Sequence, residues 1–229
     1  ACDVSANGLI ILGTELGATD ISILARMGKP IVFMDTYFDY EQACFVDMDN
    51  AGDVFKAVKH LREMGHRKIG YVRSDTAVKN FGLRDVAYRR ALEELQIPYL
   101  DGNVYTVSST HEGAYRDMLR HLKTRRKRPT AFFVINDIIA YGCIKALREK
   151  GIRVPEDVSI VGFDDLPMSA LMDPPLTTIR VRNEEVGREA MRMLVRKIRE
   201  GTALPEEKIV LGGELMIRKS VRDNRSRAL

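Results

Sequence analysis

The 229-residue chain has only three cysteines, Cys2, Cys44 and Cys143. The number is odd and no C-x-x-C spacing occurs. Neither a disulfide frame nor a zinc cluster is indicated, and a reducing compartment, the cytoplasm, fits best. No apolar stretch approaches the length of a membrane span, and no signal peptide is visible. The four histidines, His60, His66, His111 and His121, fall in separate helical or turn contexts. That scatter reads as surface or capping roles rather than metal ligation or base catalysis. Enzyme signatures are missing too. No G-x-G-x-x-G follows a strand, no G-x-x-x-x-G-K-[ST] or G-x-S-x-G occurs, and "HEGAY" at 111–115 is not H-E-x-x-H. The expectation is therefore no metal, no cofactor and no enzyme. A net charge of +4 is too mild to call for nucleic acid by itself.

What is present points to a soluble globular protein: 45% hydrophobic and 30% charged residues, over a length sufficient for two modest lobes. Short apolar runs predict strands at Gly8–Leu12, Pro30–Asp35, Cys44–Met48, Ile69–Arg73, Val104–Val107, Ala131–Ile135, Ser159–Phe163, Thr177–Val181 and Ile209–Ile217. Several are continuous rather than alternating, as strands covered on both faces should be. Helical spacing fills the intervals. In residues 50–66 Ala51, Val54, Phe55, Val58 and Leu61 share one face, with Asp49 or Asn50 to cap the start and Gly65 to end it. Residues 137–152 repeat the logic from Asp137 to Gly151. A third helix, Glu184–Glu200, stops at Gly201. This alternation predicts a doubly wound, parallel α/β architecture. The start is anomalous, because the chain enters a strand almost at once and three strands make a small sheet. An N-terminal portion is expected to be missing.

The stretch "GFDDLPMSALMDPPLTTI", residues 162–179, raises the functional question. A buried apolar run ends in two acids, Asp164 and Asp165. Asn136 and Asp137 end "AFFVIND" in the same way, and Ser74 and Asp75 follow "IGYVR". In open α/β sheets ligands bind beyond the carboxyl ends of the strands. A carboxylate there can accept two vicinal hydroxyls, an amide can donate and accept, and a guanidinium supplies a fork of donors. Such a set suits a neutral, hydroxyl-rich molecule. For Asp137 and Asp165 a helix-cap role is the stronger expectation; for Asp164 capping and ligand contact weigh evenly. The basic run "KTRRKRP", 123–129, reads as a solvated turn after a helix, since no aromatics interleave it. The tail "RKSVRDNRSRAL" reads as a frayed terminus.

"GHRKIGYV", "VPEDVSIVGFDDL" and "PPLTTIRV", with "IND", "EEVGREAMRMLVRKI" and "GELMIRKS", occur in order over nearly the whole chain. Together they resemble the lac repressor/galactose repressor (LacI) family of bacterial transcription regulators. The resemblance implies a type I periplasmic-binding-protein-like core of two α/β lobes flanking a cleft. It implies lobes of residues 1–49 plus 182–209 and of 50–181 plus 210–229. It also implies a small-molecule effector, most simply a sugar, held by Arg84, Asp164, Asn136 and Asn80. Ser108 falls where some members place a stacking aromatic. Ala87 and Tyr88 stand where the family usually has Gly and an aromatic, a mild departure. The resemblance further implies a homodimer without membrane contact. Operator DNA would be read by a headpiece that, like the first two strand–helix units, is expected to precede this chain. An extracytoplasmic sugar-binding protein of a transport system shares the fold and is the alternative; an α/β enzyme is a distant third.

Overall fold

The computed structural model describes residues 6–124, 128–201 and 205–225. Cys2, residues 125–127 of the basic run and the last four residues lie outside them. The chain divides into two compact units. The first holds the described residues up to Asp49, Val78–Asn80 and Arg182–Gly212; the second holds Asn50–Ala77, Phe81–Val181 and the described residues from Gly213 on.

The first unit is built on β1 (Leu9–Leu12), β2 (Ile31–Met34), β3 (Cys44–Met48) and β9 (Lys208–Leu211), all parallel, in the order β1-β2-β3-β9. Side chains alternate between the two faces of a strand. Ile31 and Phe33 therefore pack on one side with Phe45 and with Ile21 of α1 (Ala18–Ala25). Val32 packs on the other with Cys44, Val46 and the Val186, Ala190, Met193 and Leu194 stripe of α7 (Asn183–Glu200). Both faces are covered, which is why the run reads as continuously apolar. Gly201, at φ +88, ends α7 where the sequence placed its stop.

The second unit contains α2 (Asn50–Glu63), β4 (Ile69–Ser74), α3 (Lys79–Glu94) from Phe81 on, β5 (Val104–Val107), α4 (His111–Thr124), β6 (Ala131–Val134), α5 (Asp137–Glu149), β7 (Ser159–Asp164), α6 (Pro167–Leu171), β8 (Thr177–Arg180) and β10 (Glu214–Met216). Its sheet runs β10-β8-β7-β6-β4-β5. Every pair is parallel except β10 with β8, an antiparallel edge.

Two expectations are corrected here. The run Ile209–Ile217 is not one strand. Val210 and Leu211 pair with Asp47 and Met48 in the first unit, whereas Glu214–Met216 pairs with β8 in the second. The chain therefore changes unit at Gly212–Gly213 rather than after Ile209. Gly213 allows the break: a Cβ there would lie 2.6 Å from the Arg180 carbonyl, while the Gly213 N–H donates to both Asp53 carboxylate oxygens at 2.9 and 2.8 Å.

The tail is not frayed over its described part. Ser220 is fully buried; its Oγ donates to the Ile160 carbonyl at 2.6 Å and accepts from the Thr177 N–H at 2.8 Å. The Asn224 N–H donates to the Met64 carbonyl at 2.7 Å. A basic, polar sequence misleads here because its hydrogen bonds, not apolar burial, fasten it. Ser220→Ala strands a buried amide and is expected to lower unfolding stability by about 1–3 kcal/mol in urea titration. An unchanged midpoint would show the tail to be passive.

His66 is also buried, with Nδ1 2.9 Å from Thr130 Oγ1. Burial, assisted by the Arg222 charge, pushes its pKa down to about 4, and burial lowers that of His60. The unfolded chain then takes up these protons first. The contribution of His66 is complete above its ordinary pKa of 6.5 and is lost as pH falls from there toward about 4. The slope is about 1.4 kcal/mol per pH unit per histidine. Wild-type stability should fall faster than that of His66→Gln across this window; parallel pH profiles would contradict the assignment.

Candidate functional site

The order β7-β6-β4-β5 lines up the carboxyl ends of four strands. Asp164 ends β7, Asn136 follows β6, Ser74 ends β4 with Asp75 next, and Ser108 follows β5. The three acid- or amide-bearing strand ends singled out in the sequence are thus neighbours at one sheet edge.

Helix α3 brings a cation to this edge. An aromatic stack fixes its position: Tyr88 lies on Tyr71 at 4.6 Å between centroids, and Tyr71 on Phe133 at 5.6 Å. Tyr88 Oη donates to the Ile69 carbonyl at 3.1 Å, and Tyr71 Oη donates to Asp85 at 2.6 Å. One turn before Tyr88, Arg84 is held over the Phe163 ring, its guanidinium carbon 3.7 Å from the centroid. Arg84 is only 3% exposed. Its Nε donates to Asn50 Oδ1 at 2.9 Å, its Nη1 to the Ile135 carbonyl at 2.8 Å, and its Nη2 lies 3.5 Å from an Asp164 carboxylate oxygen. The Asp164 side chain keeps 29% exposure. A buried guanidinium therefore backs a carboxylate that remains open to solvent. That arrangement leaves an oriented acceptor for hydroxyl or amine donors.

The backbone at Asp164 has φ +110, and Asp165 follows at φ +53. An L-residue in so sparse a region costs of order 1–3 kcal/mol, persists only where its surroundings hold it, and is typical of ligand sites.

The other expected residues have more local roles. Asn136 is the N-cap of α5, its Oδ1 accepting from the Ile139 N–H at 2.9 Å. Ser108 stands at the same edge, its Oγ 3.3 Å from Thr110 Oγ1 and its N–H donating to Asp117 at 3.0 Å. Asn80 falls with the first unit, where its Nδ2 donates to Asp35 Oδ1 at 2.6 Å. Asp35 itself follows β2 at φ +57 and also accepts from the Thr14 hydroxyl. Sequence reasoning passed over Asp35, although "FMDT" ends a strand in an acid just as "GFDD" does.

The cap expectations for Asp137 and Asp165 are both corrected. Asn136 caps α5, and no side chain caps α6. Asp165 instead pairs with Arg180 Nε at 2.7 Å and Arg218 Nη2 at 2.6 Å. Asp137 is fully buried among hydrogen bonds, and burial raises its pKa to about 6. Asn50 and Phe163, the partners of Arg84, carried no sequence signal for that role.

Among the described residues no group of three or more His, Cys, Asp or Glu could hold a metal ion, and no helix is long and apolar enough to cross a membrane.

Comparison with known proteins agrees with this geometry. The periplasmic binding protein-like domain matches residues 58–221. The HTH-type transcriptional repressor PurR of Haemophilus influenzae is 34% identical over 219 residues, which is 94% of this chain and 65% of that repressor. The solved transcriptional regulator CelR–cellobiose complex superposes with a TM-score of 0.83 at 30% identity, covering 94% of this chain and 66% of that one. A LacI family transcriptional regulator from Enterococcus faecium with bound ribose gives 0.82 at 26% identity, covering 95% and 80%. This chain therefore belongs to the periplasmic-binding-protein-like domain family, and the relatives it resembles there are LacI-family transcriptional regulators.

Proposed function

We propose that the chain is the effector-sensing core of a LacI-family transcriptional regulator and that its effector is a small polyhydroxy molecule, most simply a sugar. The observation that carries this reading is the Asp164 carboxylate, partly open to solvent and backed by the buried Arg84 guanidinium at 3.5 Å. Arg84, Asp164 and the amide of Asn136 supply the acceptor and donors that vicinal hydroxyls need. Serine rather than an aromatic at position 108 removes one stacking face, which favours a sugar over a flat base. Operator DNA would be read by a headpiece outside these residues, in the cytoplasm. Effector can change that reading only through unequal affinity for the states of the whole regulator.

The same proposal includes a homodimer. On the second unit, Ile138 of α5 with Met168 and Leu171 of α6 line an apolar groove; Met168 is 52% and Leu171 78% exposed. Sedimentation of the full-length protein should give twice the monomer mass, and Leu171→Asp should shift it toward monomer; wild-type monomer at micromolar concentration would refute the pairing.

A thermal-shift screen of the full-length protein against sugars and purines tests the effector class. A ligand at about 100 times its Kd adds about 2.7 kcal/mol of apparent stability. A sugar hit supports the reading. Shifts by purines alone would replace it.

A further inference from the structure

Asp137 touches four elements at once. One carboxylate oxygen accepts from the Leu166 N–H at 3.1 Å and from Ser169 Oγ at 2.5 Å; the other accepts from Thr178 Oγ1 at 2.7 Å. Ser169 also meets Tyr141 Oη at 2.7 Å. The carboxylate thus ties α5 to α6, to β8 and to the turn between β7 and α6. Gly162 makes room for it, since a Cβ there would lie 2.2 Å from Asp137 Oδ1. Burying a carboxylate away from water is costly unless its lone pairs are used, and a cap role does not explain it, because Asn136 already caps α5. What the bonds grip is the turn that begins with Asp164 at φ +110 and Asp165 at φ +53.

We propose that Asp137 is a positioning residue for effector binding: through the Leu166 N–H and Ser169 it holds the strained turn that presents the Asp164 carboxylate. The inference rests on the effector reading above. Asp165, paired with Arg180 and Arg218, fastens the same turn from its other side. Without Asp137 the turn relaxes out of its sparse backbone conformation, and the open acceptor loses its direction while the sheet stays intact.

Amide hydrogen exchange on the full-length protein tests the positioning claim without any ligand. In Asp137→Ala, exchange over residues 164–171 should rise by about tenfold or more while β6 and α3 keep their protection. Asp137→Asn, which retains the shape and one acceptor, should restore most of the protection. Unchanged exchange over 164–171, or equal acceleration in β6 and α3, overturns the proposal; the second result would mean a general structural role only. Calorimetry with D-ribose and cellobiose adds the link to Asp164. If either binds the wild type, Asp137→Ala should weaken it about tenfold, but by less than about twofold in an Asp164→Asn background. Equal losses in both backgrounds overturn the link. If neither sugar binds the wild type, the exchange result still decides the positioning claim, and the effector class is decided by the thermal-shift screen.

Discussion

Arg84→Ala is expected to lower the unfolding free energy by about 3–5 kcal/mol, the range for removing one partner of a buried charged network. Arg84 is 3% exposed and fills the space over Phe163. Its loss deprives Asn50 Oδ1 and the Ile135 carbonyl of buried donors and leaves a void against the ring. Lysine offers a single ammonium in place of a planar fork, so Arg84→Lys should recover only part of the deficit. Urea unfolding read by far-UV circular dichroism checks both. If Arg84→Ala lost less than about 1 kcal/mol, the network would be an incidental contact. Arg84 thus has two duties that mutagenesis must separate, since a variant that no longer binds effector may simply be unfolded.

Asp164→Ala separates them better, because the side chain is partly exposed and approaches Arg84 Nη2 at 3.5 Å rather than being buried in the network. Effector affinity should fall by about 1.5–3 kcal/mol, or roughly 10- to 150-fold, the worth of hydrogen bonds to a charged group. Alanine tolerates a φ of +110 no better than aspartate does, so some strain persists in that variant. Asp164→Asn keeps the shape and removes the charge. It should lose most of the affinity if the carboxylate accepts two ligand hydroxyls, and little if its role is steric. Calorimetry on the screened effector distinguishes these results, with thermal unfolding confirming that each variant is folded.

Much of the scaffold could be read from the sequence because its signals are local. A strand buried on both faces must be apolar throughout, and "IVFM", "AFFV" and "SIVGF" declare that directly. The ends of α5 and α7 are marked by Gly151 and Gly201, both at positive φ. The 209–217 run misled because each half is a real strand. The only mark of the change of unit is the Gly212–Gly213 pair between them.

The site divides along the same line. Strand ends carrying Asp164 and Asn136 were visible as apolar runs meeting polar residues. Arg84 could be singled out only by resemblance to a family, since an arginine within a helix pattern looks like any solvated cation. The roles of Asp137 and Asp165 were not legible. An acid between a strand and a helix has the local pattern of a cap, whereas Asp137 bonds residues 29 to 41 positions away, Leu166, Ser169 and Thr178. Asp165 likewise finds its partners at Arg180 and Arg218. Only the tertiary fold brings those donors to them. The tail was misjudged for a related reason: Ser220 is fully buried by hydrogen bonds to Ile160 and Thr177, which no hydropathy pattern announces.

The most direct test is a crystal structure of the full-length protein with the sugar that gives the largest thermal shift. The account predicts ligand hydroxyls about 2.6–2.9 Å from the Asp164 carboxylate oxygens, with Arg84 still seated over Phe163. A ligand bound with no contact to Asp164, or one seated away from the carboxyl ends of β4, β6 and β7, would contradict it.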